Sequence, residues 1–256
     1  MRIFLDPGHG GKDPGAVGHG MRESDVALDV ARKMGALLAG AGHTAMLSRD
    51  SDTAVTIPQR WRHANAWGAD AYVSVHVNGH GNPHANGYET FISAAKPQDR
   101  ALAETVHGAY IRGVKLRDRG VKLDTQTQHA GGLGVLRESS MPAILAELGF
   151  VTAASHQYQD VAVLRYFREK MAAALVQGLL LHHGGGRPGG IAAGAAGSAP
   201  QPALDISFSG ETRSIRGYIK DGAAWVRLTD IAGALGHAAT WDEQRRAVSV
   251  DPIARA

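Results

Sequence analysis

The chain has 256 residues, 44% of them hydrophobic and 20% charged, which is room for one sizeable folded domain and a small second one. It has no cysteine, so disulfides and thiolate metal ligands are excluded, and any metal must be held by His, Asp or Glu. A formal net charge of +3 is too small to signal a nucleic-acid partner, and no apolar run is long enough to insert into a membrane.

Residues 3–5 read as a short buried strand running into Asp6-Pro7-Gly8-His9-Gly10-Gly11, a glycine-rich loop whose backbone can close around something small. The N-terminus enters this strand with neither a basic leader nor a cleavage site, which predicts a protein made without a secretion signal or one that has lost it. From Ser24 onward Val26, Val30, Met34 and Leu38 recur every fourth residue. This is a helix capped by Ser24 or Asp25 and stopped by Gly40 or Gly42. A strand is predicted at 44–47, a helix at 58–67 ending on Gly68, and strands at 71–75 and 87–92. A helix follows with Leu102, Val106 and Tyr110 on one face, then strand at 135–136 and 143–146, and a long helix over 161–181. This alternation predicts an α/β domain with a mainly parallel sheet, whose ligands sit beyond the C-terminal ends of strands. His9, His76 and Glu147 each follow a strand in this reading, and Glu23 opens a helix at the same edge.

Residues 184–203, rich in Gly, Ala and Pro, cannot bury an apolar face and read as a linker after a domain spanning 1–183. Residues 204–256 form a small α+β unit. Its strands at 215–219 and 224–227 meet at Asp221-Gly222, a helix covers 228–235, and a last strand covers 247–250.

Two histidines and two carboxylates converging on one edge suggest a hydrolytic zinc site. A catalytic zinc keeps three protein ligands and one open position, and two neutral imidazoles with one carboxylate leave it at about +1. That charge lowers the pKa of a bound water from about 16 to roughly 7. His9, Glu23 and His76 are assigned as ligands and Glu147 as general base, with Asn78 a substrate hydrogen-bonding candidate. Each residue also has a plainer reading: a loop histidine, a helix-dipole carboxylate, a core histidine and a salt-bridge partner. His80 and His84 flank the same loop as His76 and are the strongest rivals for ligation.

At these residues the chain resembles the zinc-dependent N-acetylmuramoyl-L-alanine amidases of the family 3 type. The resemblance covers residues 1–183. Its markers are Leu5 to Gly11, Asp13-Pro14-Gly15-Ala16, Arg22-Glu23-Ser24-Asp25, Ser48-Arg49-Asp50, Arg60 with Ala64-Asn65, and Ser74-Val75-His76-Val77-Asn78. Further markers are Gly87-Tyr88-Glu89, Arg119-Gly120-Val121, Val135-Leu136-Arg137 and Pro142 to Phe150. The resemblance implies a twisted sheet with helices on both faces, zinc held by His9, Glu23 and His76, and Glu147 as the catalytic glutamate. It implies hydrolysis of the amide between N-acetylmuramic acid and the first L-alanine of peptidoglycan. Arg49, Arg60 and Asn65 are read as structural. Some relatives carry a plugging helix after the Gly-x-Glu strand. The short stretch between Ile92 and Arg119 leaves room only for an ordinary helix, which predicts an enzyme needing no activator; a monomer is expected. Residues 213–250 resemble the small stalk-like domain first described at the N-terminus of copper amine oxidases, through Asp221-Gly222, Trp225-Val226-Arg227-Leu228, Ala234-Leu235-Gly236, Trp241-Asp242 and Val248-Ser249-Val250. No copper site is implied; a cell-wall anchor and a merely stabilising module are both open. A zinc peptidase acting on stem peptides and a catalytically dead wall-binding protein are the alternative functions. A missing signal fits either a phage or prophage lysin or a trimmed host autolysin.

Overall fold

In chain order, β1 (Arg2–Pro7) leads through a small hairpin of β2 (Val17–Gly18) and β3 (Met21–Arg22) into α1 (Glu23–Gly40). Next come β4 (Thr44–Leu47), α2 (Ile57–Trp67), β5 (Ala71–Asn78), β6 (Tyr88–Ile92), α3 (Arg100–Val114) and β7 (Asp118–Leu123). The unit ends with α4 (Gly134–Arg137), β8 (Ala143–Phe150), α5 (Asp160–Tyr166) and α6 (Arg168–Gly184). This computed structural model describes residues 1–127, 131–155 and 158–184, together with the strands at 203–208, 211–216, 218–220, 223–225, 237–242 and 247–252. The chain divides into two units, Met1–Ile191 and Ala192–Ala256.

The strand order is β4-β1-β5-β8-β6-β7. The first four strands pair in parallel, β6 runs antiparallel to β8, and β7 is parallel to β6. The sheet is therefore mainly parallel, as expected, with a reversed two-strand edge. Alternation along each strand sorts side chains onto two faces. Val73, Val75 and Val77 of β5 and Ile144, Ala146 and Leu148 of β8 pack with Val26, Val30 and Met34 of α1, Leu102 and Val106 of α3, and Leu175 of α6. On the opposite face Phe4, Tyr72, Phe91 and Leu145 pack with Ala64 of α2 and Val135 and Leu136 of α4. The second face is covered over only part of its length, and its remainder carries the polar site described below.

Local signals explain most boundaries. Thr56 and Gln59 form a capping box at the start of α2, Pro58 sits in its first turn, and Gly68 ends it in the left-handed region at φ 66. Two expectations are corrected, and one strand was missed. Residues 135–136 are helical, the centre of the single turn α4, because a pair of apolar residues carries no period to separate helix from strand. The long helix over 161–181 is two helices, α5 and α6, broken at Phe167, whose φ of −122 leaves the helical region. β7 was not foreseen as a strand, since Asp118, Arg119, Gly120 and Lys122 give it little strand propensity.

In the C-terminal unit β9 (Ala203–Phe208) pairs with β10 (Glu211–Arg216), β11 (Tyr218–Lys220) with β12 (Ala223–Trp225), and β13 (His237–Asp242) with β14 (Ala247–Pro252), all antiparallel. β11 and β12 pair on either side of residues 221–222, which lie outside the described residues, and the strand predicted at 215–219 is split between β10 and β11. The helix predicted at 228–235 lies outside the described residues.

Candidate metal centre

The loop after β1 is held from below by two buried arginines. Arg49 donates through Nε to the Pro7 carbonyl at 3.1 Å and through Nη2 to the Gly8 and Ser24 carbonyls at 2.7 and 2.8 Å. Arg60 donates to Asp6 Oδ1 at 2.6 Å, to the Pro7 carbonyl at 2.7 Å and to the His9 carbonyl at 2.8 Å. Asp6 also accepts from Ser48, Tyr72 and Ser74. Burial opposes its ionisation, but the Arg60 charge and the hydrogen bonds from Ser48 and Tyr72 hold its carboxyl below the usual range. So clamped, His9 adopts φ 58, which is uncommon for a residue with a side chain. Two glycines give the site its room. A Cβ on Gly8 would stand 2.3 Å from the His76 ring, and one on Gly15 would stand 2.5 Å from Glu23 Oε2 and 2.7 Å from His9 Cδ2.

Glu23 is the first residue of α1, brought there by the β2–β3 hairpin. Its Oε2 accepts from the Ala16 amide at 2.8 Å and its Oε1 from the Val77 amide at 3.0 Å. The same Oε1 lies 3.1 Å from His9 Nε2 and 2.8 Å from His76 Nδ1. One ligand atom from each of His9, Glu23 and His76 falls within 4.8 Å of the others. On its far side His9 places Nδ1 2.8 Å from Asp13 Oδ2, a partner that fixes the ring's orientation and leaves Nε2 for the centre. Burial acts to lower the His9 pKa, but the hydrogen bond and charge of Glu23, then those of Asp13, raise it to about 9. Burial likewise acts to raise the Glu23 pKa, and the hydrogen bonds to His76 and His9 push it down. The proton favoured on His9 thus holds the place that a cation would take.

His76 and Glu147 do not follow strands, as the sequence suggested. They lie inside β5 and β8, directly paired in the sheet. Glu89 of β6 pairs with Glu147 on the other side. His76, Glu147 and Glu89 therefore form a row across three strands, on the face that α2 and α4 leave open. Glu147 is half-buried, and its Oε2 is sealed from solvent with no hydrogen-bond partner among the described residues. Burial, then the charges of Glu23 and Glu89, raise its pKa well above the ordinary carboxylate value. Asn78, two residues past His76 on the same face, donates through Nδ2 to Glu89 Oε1 at 2.7 Å. That amide hydrogen is spent on Glu89.

The rival histidines stand apart from the cluster. His80 Nδ1 accepts from the Asn82 amide, and the His84 ring packs edge-on to Tyr158. Asn65 bonds the Glu138 carbonyl and the Ser140 amide, so like Arg49 and Arg60 it ties loops together. Sequence reasoning assigned no role to Asp13 or Glu89. Asp13 at four residues from His9 was a usable signal; Glu89 could be placed only once β6 was known to run against β8.

An imidazole–carboxylate–imidazole set beside a half-buried carboxyl with one sealed, unpartnered oxygen suits a metal-assisted hydrolase. The chain belongs to the N-acetylmuramoyl-L-alanine amidase family, whose profile matches residues 3–180. It is 40% identical over 159 residues to the sporulation-specific N-acetylmuramoyl-L-alanine amidase of Bacillus subtilis, covering 60% of this chain and 58% of that one. It is 37% identical over 156 residues to an endolysin of Bacillus phage SPP1, covering 58% and 54%. The chain thus spans little more than half the length of these two relatives. The crystal structure of N-acetylmuramoyl-L-alanine amidase from Clostridium difficile 630 matches with a TM-score of 0.63 at 34% identity, over 70% of this chain and 94% of that one.

Proposed function

We propose that the N-terminal unit is a zinc-dependent amidase that cleaves the bond between the lactyl group of N-acetylmuramic acid and the first L-alanine of peptidoglycan. The observation that carries this reading is the closure of His9, Glu23 and His76 within 4.8 Å, beside an enclosed carboxyl, in a chain of this family. The donor set fits zinc: two imidazoles and one carboxylate, with the unpartnered Glu147 Oε2 facing no other demand. When bound there, zinc would supply a Lewis acid that acidifies water and polarises a carbonyl.

The chain's own residues supply the rest. Asp13 orients His9, and the Val77 and Ala16 amides orient Glu23. Glu147 takes a proton from the water whose oxygen attacks the lactyl carbonyl carbon. As the C–N bond breaks, it passes that proton to the departing nitrogen, leaving a muramyl carboxylate and a free L-alanine amine. Its raised affinity for protons suits the second task, and a nearby cation suits the first. Asn78 serves substrate only through Oδ1 and its second amide hydrogen, since the other is held by Glu89.

Between β6 and β7 stand a single 3₁₀ turn (Pro97–Asp99) and α3, an ordinary 15-residue helix packed in the core through Leu102, Val106 and Tyr110. This supports an enzyme that needs no activator to clear its site. Likeness to a phage endolysin supports a lytic or autolytic role. Mass spectrometry of peptidoglycan digested by the purified protein tests the reading. New L-alanine amines, lost on chelation and restored by zinc, are expected. Cuts confined to peptide bonds within the stem would make it a peptidase instead, and no cuts at all a binding protein.

A further inference from the structure

The polar row does not stop at Glu147. Because β6 is reversed, Glu89 lies directly across from Glu147, and the edge strand β7 brings two cations to it. Arg119 Nε donates to Glu89 Oε2 at 2.7 Å and Lys122 Nζ donates to the same oxygen at 2.5 Å, while Asn78 holds Oε1. We infer that Arg119 and Lys122 form a subsite for a free carboxylate on the stem peptide, one residue beyond the scissile amide. This rests on the amidase reading above.

Three features carry the inference. The first is which member of the cluster is accessible. Side-chain exposure is 6% for Glu89 and 26% for each of Arg119 and Lys122, so an incoming molecule meets the cations and not the carboxylate that partly neutralises them. The second is surplus donor capacity. One carboxylate faces two cations, and Glu89 is the only carboxylate that either head group bonds among the described residues. Asp160 feels the charge of Arg119, but its Oδ1 is taken by the Gly87 and Phe150 amides. Asp118 Oδ1 is likewise taken by His107 and the Gly120 amide. The Arg119 head group is braced over the Phe150 ring at 4.8 Å and by the Asn86 carbonyl, which pre-sets it for a planar anion.

The third feature is distance and direction. Glu147 hands its proton to the departing amine, so that amine lies against Glu147, and the peptide it carries leads away from the His9–Glu23–His76 centre. Strands in a sheet stand about 4.8 Å apart, and the two cations reach back from β7 to Glu89, which puts them roughly 5–10 Å from Glu147. An extended peptide advances about 3.5 Å per residue, so a group on the second residue lies at roughly 7 Å from the first amine. In peptidoglycan stems joined through the side-chain carboxyl of the second residue, that group is an α-carboxyl, either free or amidated.

The test uses the zinc-loaded 256-residue chain and two muramyl peptides that differ only in whether this α-carboxyl is free or amidated. The wild type is expected to favour the free acid by about 10-fold or more in kcat/KM, the scale of a charge-assisted hydrogen bond, with the difference carried by KM. In Lys122→Met and Arg119→Gln the preference should fall toward one. The lysine variant leaves the Phe150 and Asn86 contacts in place should the arginine variant fail to fold. No discrimination by the wild type overturns the subsite. So does an equal loss on both substrates in the variants, which would mean that the cations only steady Glu89. Failure to cut either peptide overturns the amidase reading and the subsite with it, whereas cleavage without discrimination overturns the subsite alone.

Discussion

Replacing Glu147 with Gln keeps the shape of the side chain and removes its charge, so it separates catalysis from architecture. In the proposed role of general base and acid the carboxyl would be worth about 10²- to 10⁴-fold in rate. The variant is expected to lose that much turnover while binding zinc as well as the wild type, because Glu147 is not in the His9–Glu23–His76 set. A second effect runs the other way. Ionised Glu147 is enclosed with an unpartnered oxygen and has Glu89 as its sheet partner. Two like charges about 5 Å apart at an effective dielectric of 20 repel by roughly 3 kcal/mol, and Arg119 and Lys122 offset part of this. The zinc-free Gln variant should therefore be more stable than the wild type by about 1–3 kcal/mol at pH 8. The sign follows from the raised pKa in the fold. The neutral acid suits the native state, so the wild type's disadvantage is absent below the unfolded value of about 4.3 and grows as pH rises above it. Denaturant unfolding of both zinc-free proteins at pH 4.5 and pH 8 reads this directly. Zinc stoichiometry and release of L-alanine amines read the first effect. A zinc-loaded variant within about tenfold of wild-type turnover, or one no more stable than wild type at pH 8, would refute the reasoning.

Zinc affinity should rise about tenfold per pH unit from pH 6 to pH 8, because the proton displaced from His9 is held up to about pH 9; a competition titration that is flat across this range contradicts it. Asp13→Asn weakens the partner that aims His9 and should cost about 10- to 100-fold in zinc affinity with an unchanged circular dichroism spectrum. Arg60→Met strands the buried Asp6 carboxylate and should destabilise the protein by about 3–5 kcal/mol in denaturant unfolding. Deleting residues 184–256 should weaken pelleting with cell walls while cleavage of soluble muramyl peptides persists; unchanged pelleting counts against an anchoring role.

The α/β character and most elements were legible because long periodic runs, such as Val26 to Leu38, and strong stops, such as Gly68, are local facts. What failed was local too: two apolar residues at 135–136 have no period, and nothing in residues 118–123 signals an edge strand. His9, Glu23, His76 and Glu147 were legible as chemical types. Their mutual geometry was not, because it depends on sheet order. The direction of β6, which decides that Glu89 faces Glu147, is set by how the whole edge packs. The alternation of Ser74, His76 and Asn78 with Val73, Val75 and Val77 was in the sequence throughout, and it already marked one face of β5 as polar.

The grip of Arg49 and Arg60 on the backbone around His9 has one more consequence. The loop that carries His9 takes its shape from guanidinium–carbonyl bonds anchored in the protein interior, and the proposed zinc would have little left to arrange. Loading and stripping should then behave as a reversible exchange on a finished scaffold, so a stock emptied by a chelator regains competence as fast as fresh ion diffuses in.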